Sequence, residues 1–146
     1  MTSISRRTFV KSSSAAVFAG AVFPSLSVAS PQRVSANDTI NVALIGCKNM
    51  GWSDLSDFLP HPEVRCVALA DIDQGILTSR AGELEKRGGK PDIYGDYRKI
   101  LDRKDVDVVI IGTPDHWHCL QFVDACAAGK DVYVEKPASN SIIYSV

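Results

Sequence analysis

A doubly wound parallel α/β sheet with strand order 3-2-1-4-5 is the fold this sequence predicts, behind an N-terminal segment that stands apart from it. Three observations carry the prediction. From Thr39 onward, short apolar β-branched runs alternate with stretches of helical periodicity, which implies right-handed crossovers and parallel strands. The first run opens into a glycine loop, LIGCKNMGW at 44–52, and the second ends at Asp71. In such a sheet, ligands sit outside the ends of strands 1 and 4, where the strand order reverses. Those ends carry Gly46-Cys47-Lys48 and Thr113-Pro114-Asp115.

Each element has its own signal. TINVALIG is a nearly continuous apolar run closed by glycine, as a strand buried on both faces reads. NMGWSDLSDFLP puts Leu55, Phe58 and Leu59 on one helical face, and Pro60 stops the helix. VRCVALADID is the second buried run. From Gln74 to Arg87, Ile76, Leu77, Ala81 and Leu84 recur at helical spacing before Gly88-Gly89. DIYGDY is a short strand and turn, with Asp96 placed to cap a helix carrying Ile100 and Leu101. VDVVIIGTP is the fourth strand. HCLQFVDACAAGK predicts a helix with Cys119, Phe122, Val123 and Cys126 inward, Asp115 as its N-cap and Gly129 beyond its end. DVYVEKP is the fifth strand.

The 146 residues suffice for one domain with a core and are too few for two. A formal net charge of −1 gives no reason to expect a nucleic-acid partner. Residues 1–29 read as an export signal: Arg6, Arg7 and Lys11, no acidic residue, an apolar stretch from Ala15 to about Phe23, then Ser27-Val28-Ala29. That stretch is too short to span a bilayer comfortably. SRRTFVK at 5–11 matches the twin-arginine pattern, so the translocase of that route is an expected partner and the periplasm the expected location. Cleavage after Ala29 removes three positive charges and no negative one, taking the net charge from −1 to −4. Residues 30–38 read as a linker and 39–146 as the domain. Twin-arginine export moves folded proteins, which suits an enzyme that acquires a dinucleotide in the cytoplasm. The four cysteines read as small buried hydrophobes rather than as two bridges, and no C-x-x-C spacing occurs.

LIGCKNMGW departs from the dinucleotide fingerprint G-x-G-x-x-G: Gly46 and Gly51 hold the first and third glycine places, and Lys48 holds the second. The context nevertheless fits, because the string follows a buried strand and opens a helix, and Asp71 lies twenty residues beyond Gly51, close to the distance of a ribose-binding carboxylate. A plain tight turn with a helix-capping aspartate is the competing reading. Lys48 gives up close backbone approach but brings a cation to a helix N-terminus that already favours anions; the alternative is that its bulk blocks binding. Asp71 with no arginine directly after it favours NAD over NADP. Arg80 lies too far along its helix to count from sequence alone.

GTPDHWHCLQFVDACAAGKDVYVEKP, residues 112–137, resembles the Gfo/Idh/MocA oxidoreductases, and in particular their exported branch. The likeness covers nearly all of residues 39–142. It implies a Rossmann domain in which Gly46, Lys48, Asn49, Met50 and Gly51 form the pyrophosphate loop and Asp71 holds the ribose. Thr113, Pro114 and His118 match the loop along the nicotinamide ribose. Glu135, Lys136 and Pro137 match the E-K-P triplet, whose lysine sits beside the reacting carbon, with a cis Lys136-Pro137 bond. The implied reaction is hydride transfer between a nicotinamide cofactor and a sugar or cyclitol carbinol.

Chemistry supports Lys136 independently: hydride leaves a carbinol more readily when a nearby cation or base stabilises the alkoxide. The plain alternative is a surface lysine held by Glu135. His116 and His118 are too few for zinc; capping, loop packing or sugar contact suits them better. Trp117 suits a sugar face or simple hydrophobic cover. Some relatives cleave glycosides by transient NAD oxidation, but these typically lack the E-K-P lysine. A third reading is a non-catalytic nucleotide-binding fragment. Family members continue into a substrate domain, whereas this sequence stops nine residues after E-K-P, so the sequence predicts a truncated chain that lacks turnover by itself. Substrate identity and oligomeric state would be set by that further domain.

Overall fold

Five parallel strands in the order β3-β2-β1-β4-β5 form the sheet of the computed structural model, which describes residues 38–139. The expected export signal, most of the linker and the segment after Ser139 lie outside the described residues. The strands are β1 (Ile40–Ile45), β2 (Val64–Ala70), β3 (Asp92–Tyr94), β4 (Val108–Ile111) and β5 (Asp131–Val134). They are joined in turn by α1 (Asn49–Phe58), α2 (Gln74–Lys86), α3 (Arg98–Leu101) and α4 (Asp115–Ala127).

The apolar runs become central strands because alternate residues fill two separate cores. Val42, Leu44, Leu69 and Ile110 face one way and meet Leu55 of α1 and Leu77 and Leu84 of α2. Ala43, Ile45, Val109 and Ile111 face the other way and meet Tyr97, Ile100 and Val106. The phases expected for α1, α2 and α3 therefore hold. At the carboxyl ends the ladder continues one step past each strand. Gly46 N–H donates to Ala70 O at 2.8 Å, Gly112 N–H to Ile45 O at 2.9 Å, and Glu135 N–H to Ile111 O at 3.0 Å. These bonds fix the starts of the loops that follow β1, β4 and β5.

α4 is rotated from the expected phase. Its buried residues are His118, Gln121 and Ala125, while Phe122, Val123 and Cys126 are exposed and Cys119 is half-buried. The rotation is set by polar pins. Thr113 Oγ1–H donates to Gln121 Oε1 at 2.7 Å, Tyr97 O–H donates to Asp124 Oδ2 at 2.6 Å, and the His118 ring lies between Thr113 O and Pro137 O, donating its N–H to a carbonyl. Asp115 is also not the N-cap. Pro114 holds that place in extended backbone, and Asp115 is the first helical residue, its carboxylate accepting from His116 N–H at 2.9 Å. A negative charge in the first turn still suits the helix dipole. Gly129 follows α4 at φ +73°, where a left-handed residue closes the helix as expected. No disulfide joins the four cysteines.

Candidate functional site

Three glycines bring the backbones of β1, α1 and β4 together at the switch point. A Cβ on Gly51 would lie 2.2 Å from Gly46 O, one on Gly112 would lie 2.2 Å from Gly51 Cα, and one on Gly46 would lie 2.7 Å from Gly112 C. Gly46 also sits at φ +88°, where an L side chain is strained. The sequence marked Gly46 and Gly51. It passed over Gly112, whose position directly ahead of T-P at the end of a buried strand was the available signal.

The supposedly missing glycine has a structural answer. Lys48 is the N-cap of α1, with φ −98° and ψ 164°, an extended conformation that any residue adopts. The left-handed residue is Asn49 at φ +39°, and asparagine is among the few non-glycine residues that tolerate this region. The loop thus makes its turn without a glycine at the second place. α1 then begins with the N–H groups of Asn49, Met50 and Gly51 lacking any intrahelical acceptor. Asn49 and Met50 are exposed and Gly51 is buried.

Around the end of β2 lies a group of charges. Asp71 Oδ2 accepts from Cys47 N–H at 2.8 Å, and its Oδ1 accepts from Asp73 N–H at 3.0 Å. Both oxygens are thereby fixed in direction, and each keeps a lone pair. The Lys48 ammonium does not turn toward the start of α1; it pairs with Asp73 Oδ2 at 2.9 Å. Asp73 holds the Lys48 proton more tightly than usual, and Lys48 holds the Asp73 carboxyl below the usual carboxylate range. Arg80 reaches farther than its place in the sequence suggested. Its guanidinium lies 4.4 Å from the centre of the Trp52 ring, its Nε–H donates to Cys47 O at 3.4 Å, and it pairs with Glu83 at 2.8 Å. Burial, reinforced by the Asp71 charge, pushes the Cys47 thiol up to about 12, so this cysteine remains an unreactive filler.

The other half of the site lies over β4 and β5. His118 is buried, 2% exposed. Its Nε2 lies 2.6 Å from Thr113 O and its Nδ1 lies 2.8 Å from Pro137 O. The ring therefore ties the loop after β4 to the loop after β5, and it is sealed from solvent. The Lys136-Pro137 bond is cis. Lys136 is exposed and makes no ion pair among the described residues, so Glu135 does not hold it. His116 and Trp117 are exposed on the outer side of the first turn of α4, with the His116 ring 3.6 Å from the Asp115 carboxylate. No group of three or more metal-ligating side chains converges among the described residues, and no helix there is long and apolar enough to cross a membrane.

Every expected site residue thus lies on the loops at the carboxyl ends of β1, β2, β4 and β5, or on the first turn of the helix that follows. Backbone glycines, orphan N–H groups and an oriented carboxylate line one half. A buried histidine and an exposed lysine mark the other. That donor set fits a dinucleotide: amides and a helix terminus for phosphates, and a carboxylate for ribose hydroxyls.

Comparison with known proteins agrees with this geometry. Residues 40–142 match the Gfo/Idh/MocA model, described as an oxidoreductase family with an NAD-binding Rossmann fold. Glycosyl hydrolase family 109 protein 1 of Shewanella sp. strain ANA-3 is 30% identical over 163 residues, covering 97% of this chain and 35% of its own length. The chain therefore spans about a third of that relative. An NAD-binding oxidoreductase from Klebsiella pneumoniae superposes with a TM-score of 0.58 at 33% identity, over 73% of this chain and 30% of its own. Scyllo-inositol dehydrogenase from Lactobacillus casei, solved with NAD(H) and scyllo-inositol, shares the fold with a TM-score of 0.65 at 24% identity, over 73% and 30% of the two chains.

Proposed function

The chain belongs to the Gfo/Idh/MocA oxidoreductase family, and from that premise we propose that residues 38–139 are the cofactor half of an enzyme moving hydride to or from a sugar or cyclitol carbinol. The observation that carries the reading is the close packing of Gly46, Gly51 and Gly112 beside the start of α1, with the Asp71 carboxylate already aimed by Cys47 N–H.

In this reading Gly46, Lys48, Asn49, Met50 and Gly51 form the pyrophosphate loop, and Asp71 accepts from the adenosine ribose hydroxyls. Thr113, Pro114, Glu135 and Pro137 shape the nicotinamide end, with His118 holding the two loops in register. NAD, when bound, supplies the hydride acceptor. Lys136 follows the last residue of β5 by two, is exposed and has no ion pair among the described residues, so in this reading its side chain can reach a carbinol oxygen. As the ammonium it stabilises alkoxide oxygen and returns the proton when a carbonyl is reduced; as the free amine it accepts the hydroxyl proton when a carbinol is oxidised.

NADH fluorescence titration of the purified chain tests the cofactor assignment. We expect binding that Asp71→Ala weakens by about tenfold, the effect of losing one charge-assisted hydrogen-bonding carboxylate. A folded chain that leaves NADH fluorescence unchanged sinks the assignment. Likeness to a glycosyl hydrolase family 109 protein favours a second reading, glycoside cleavage by transient oxidation. The two differ in output: a dehydrogenase accumulates NADH in step with product, whereas a hydrolase releases sugar with no net NADH. Lys136 supports the first reading. We further infer that residues 1–29 direct twin-arginine export and that the enzyme works in the periplasm. Replacing Arg6 and Arg7 by lysine in a reporter fusion should keep the reporter in the cytoplasm, and continued export would refute this.

A further inference from the structure

We propose that Lys48 is a latent ligand for the 2′-phosphate of NADP, held off by Asp73, so that this one ion pair sets the preference between the two nicotinamide dinucleotides. The proposal rests on the cofactor reading above and adds a specificity determinant to it.

Lys48 points away from the start of its own helix and toward Asp73. It is the N-cap of α1, and its extended backbone carries the side chain across to the start of α2. The residue between the two loops is Asp71, the carboxylate on which the adenosine ribose would rest, and Asp73 N–H donates to that same carboxylate. The Lys48 ammonium therefore sits next to the ribose end of the site, where a cationic side chain accommodates a 2′-phosphate in dinucleotide folds generally. Arg80 is not available for that work, because Trp52, Glu83 and Cys47 O already engage it.

The charges then decide. Asp71 and Asp73 bring two negative charges to this end and Lys48 brings one positive charge. Ribose hydroxyls donate to a carboxylate and fit a site with one net negative charge. A phosphate at the 2′ position meets that charge as repulsion, and its natural partner is already bound to Asp73. The pair is also cheap to exchange, since Lys48 and Asp73 are 54% and 43% exposed and such surface pairs contribute little by themselves. The latch discriminates because of where its charges lie, not because it is strong.

Asp73 uses its two oxygens separately, which makes the idea testable. Oδ1 caps α2 by accepting from Gly75 N–H at 3.0 Å and Ile76 N–H at 3.2 Å, and Oδ2 holds Lys48. Asparagine keeps the capping oxygen and removes the charge. Affinities for NADH and NADPH are measured by fluorescence titration on the full wild-type chain and on D73N, K48A and the double variant, with circular dichroism reporting folding. D73S serves as a second capping variant should D73N unfold.

We expect D73N to shift the affinity ratio toward NADPH by about five- to tenfold at low ionic strength, and the shift to shrink at high salt. The double variant should lose the gain, because no ammonium is left to release. An unchanged ratio in D73N overturns the proposal. So does a gain that survives in the double variant, since removal of the Asp73 charge alone would then account for it. Wild-type chain that binds no NADH would remove the cofactor reading and this inference with it, whereas NADH binding with an unmoved ratio removes only the inference.

Discussion

Replacing Asp54 by asparagine should stabilise the protein at neutral pH. Asp54 lies on α1 and is 8% exposed, and its Oδ2 is buried with no hydrogen-bond partner among the described residues. Burial raises its pKa above the ordinary 3.8, and the charges of Glu135 and Asp57 raise it further. A folded state with a raised carboxyl pKa binds the proton more tightly than the unfolded state. Below 3.8 both states are protonated and the group costs nothing through its charge. As pH rises from 3.8 to the folded value, the unfolded chain ionises first and stability falls. Above the folded value the full penalty persists, so the burden is greatest at neutral pH. An unsatisfied buried polar atom costs about 1–3 kcal/mol. Asparagine has nearly the same volume and carries no charge, so it removes the cost of holding a buried carboxylate beside other negative charges. We therefore expect a gain of about 1–2 kcal/mol at neutral pH, or several degrees in Tm for a domain of this size, dwindling as pH approaches 3.8. Urea unfolding followed by circular dichroism at both pH values reads this directly. A variant less stable at neutral pH, or equally stabilised at both, would refute the reasoning.

Two further predictions use the same assay. Gly112→Ala places a Cβ 2.2 Å from Gly51 Cα and 2.7 Å from Gly51 N; backbone must move, and we expect a loss of about 3 kcal/mol. Gly82→Ala is the matched control: its Cβ meets nothing within 4 Å in the interior of α2, so it should gain about 0.5–1 kcal/mol. If the two substitutions had equal effects, the close packing at the switch point would be wrong. Tyr97→Phe deletes the 2.6 Å bond to Asp124 and should cost about 1–2 kcal/mol, seen as a lower urea midpoint with an unchanged slope. The Tyr97 phenol, pushed up to about 12 by burial and then by Asp124, stays protonated throughout the neutral range, so this loss should not vary there with pH.

The strands and three of the four helices were legible in the sequence because their positions are set by how much apolar surface each residue buries. Leu55, Leu77, Leu84 and Ile100 are fully or almost fully buried, and a periodicity count finds such residues. α4 misled because its outward residues mimic the pattern: Cys119, Phe122, Val123 and Cys126 fall at i, i+3, i+4 and i+7, the spacing of a buried stripe. Its actual rotation is fixed by His118, Gln121 and Asp124, whose partners are Thr113, Pro137 and Tyr97. Those partners are five to twenty-seven residues away in the chain, so no local pattern announces them. The glycine loop misled in a similar way. Counting glycines put the anomaly on Lys48, whereas the backbone puts the turn on Asn49 and leaves Lys48 in a conformation open to any residue. What the sequence cannot encode locally is which polar groups meet once the strands are in order. Polar pairings at a switch point are therefore the last features a sequence discloses, and here they determine the parts closest to the proposed chemistry. His118 joins the loops after β4 and β5, Asp71 is aimed by Cys47, and Lys48 is turned from the start of α1 toward Asp73. Each is a polar contact between segments far apart in the chain, so it forms only after the strands have brought those segments together at the carboxyl ends of the sheet.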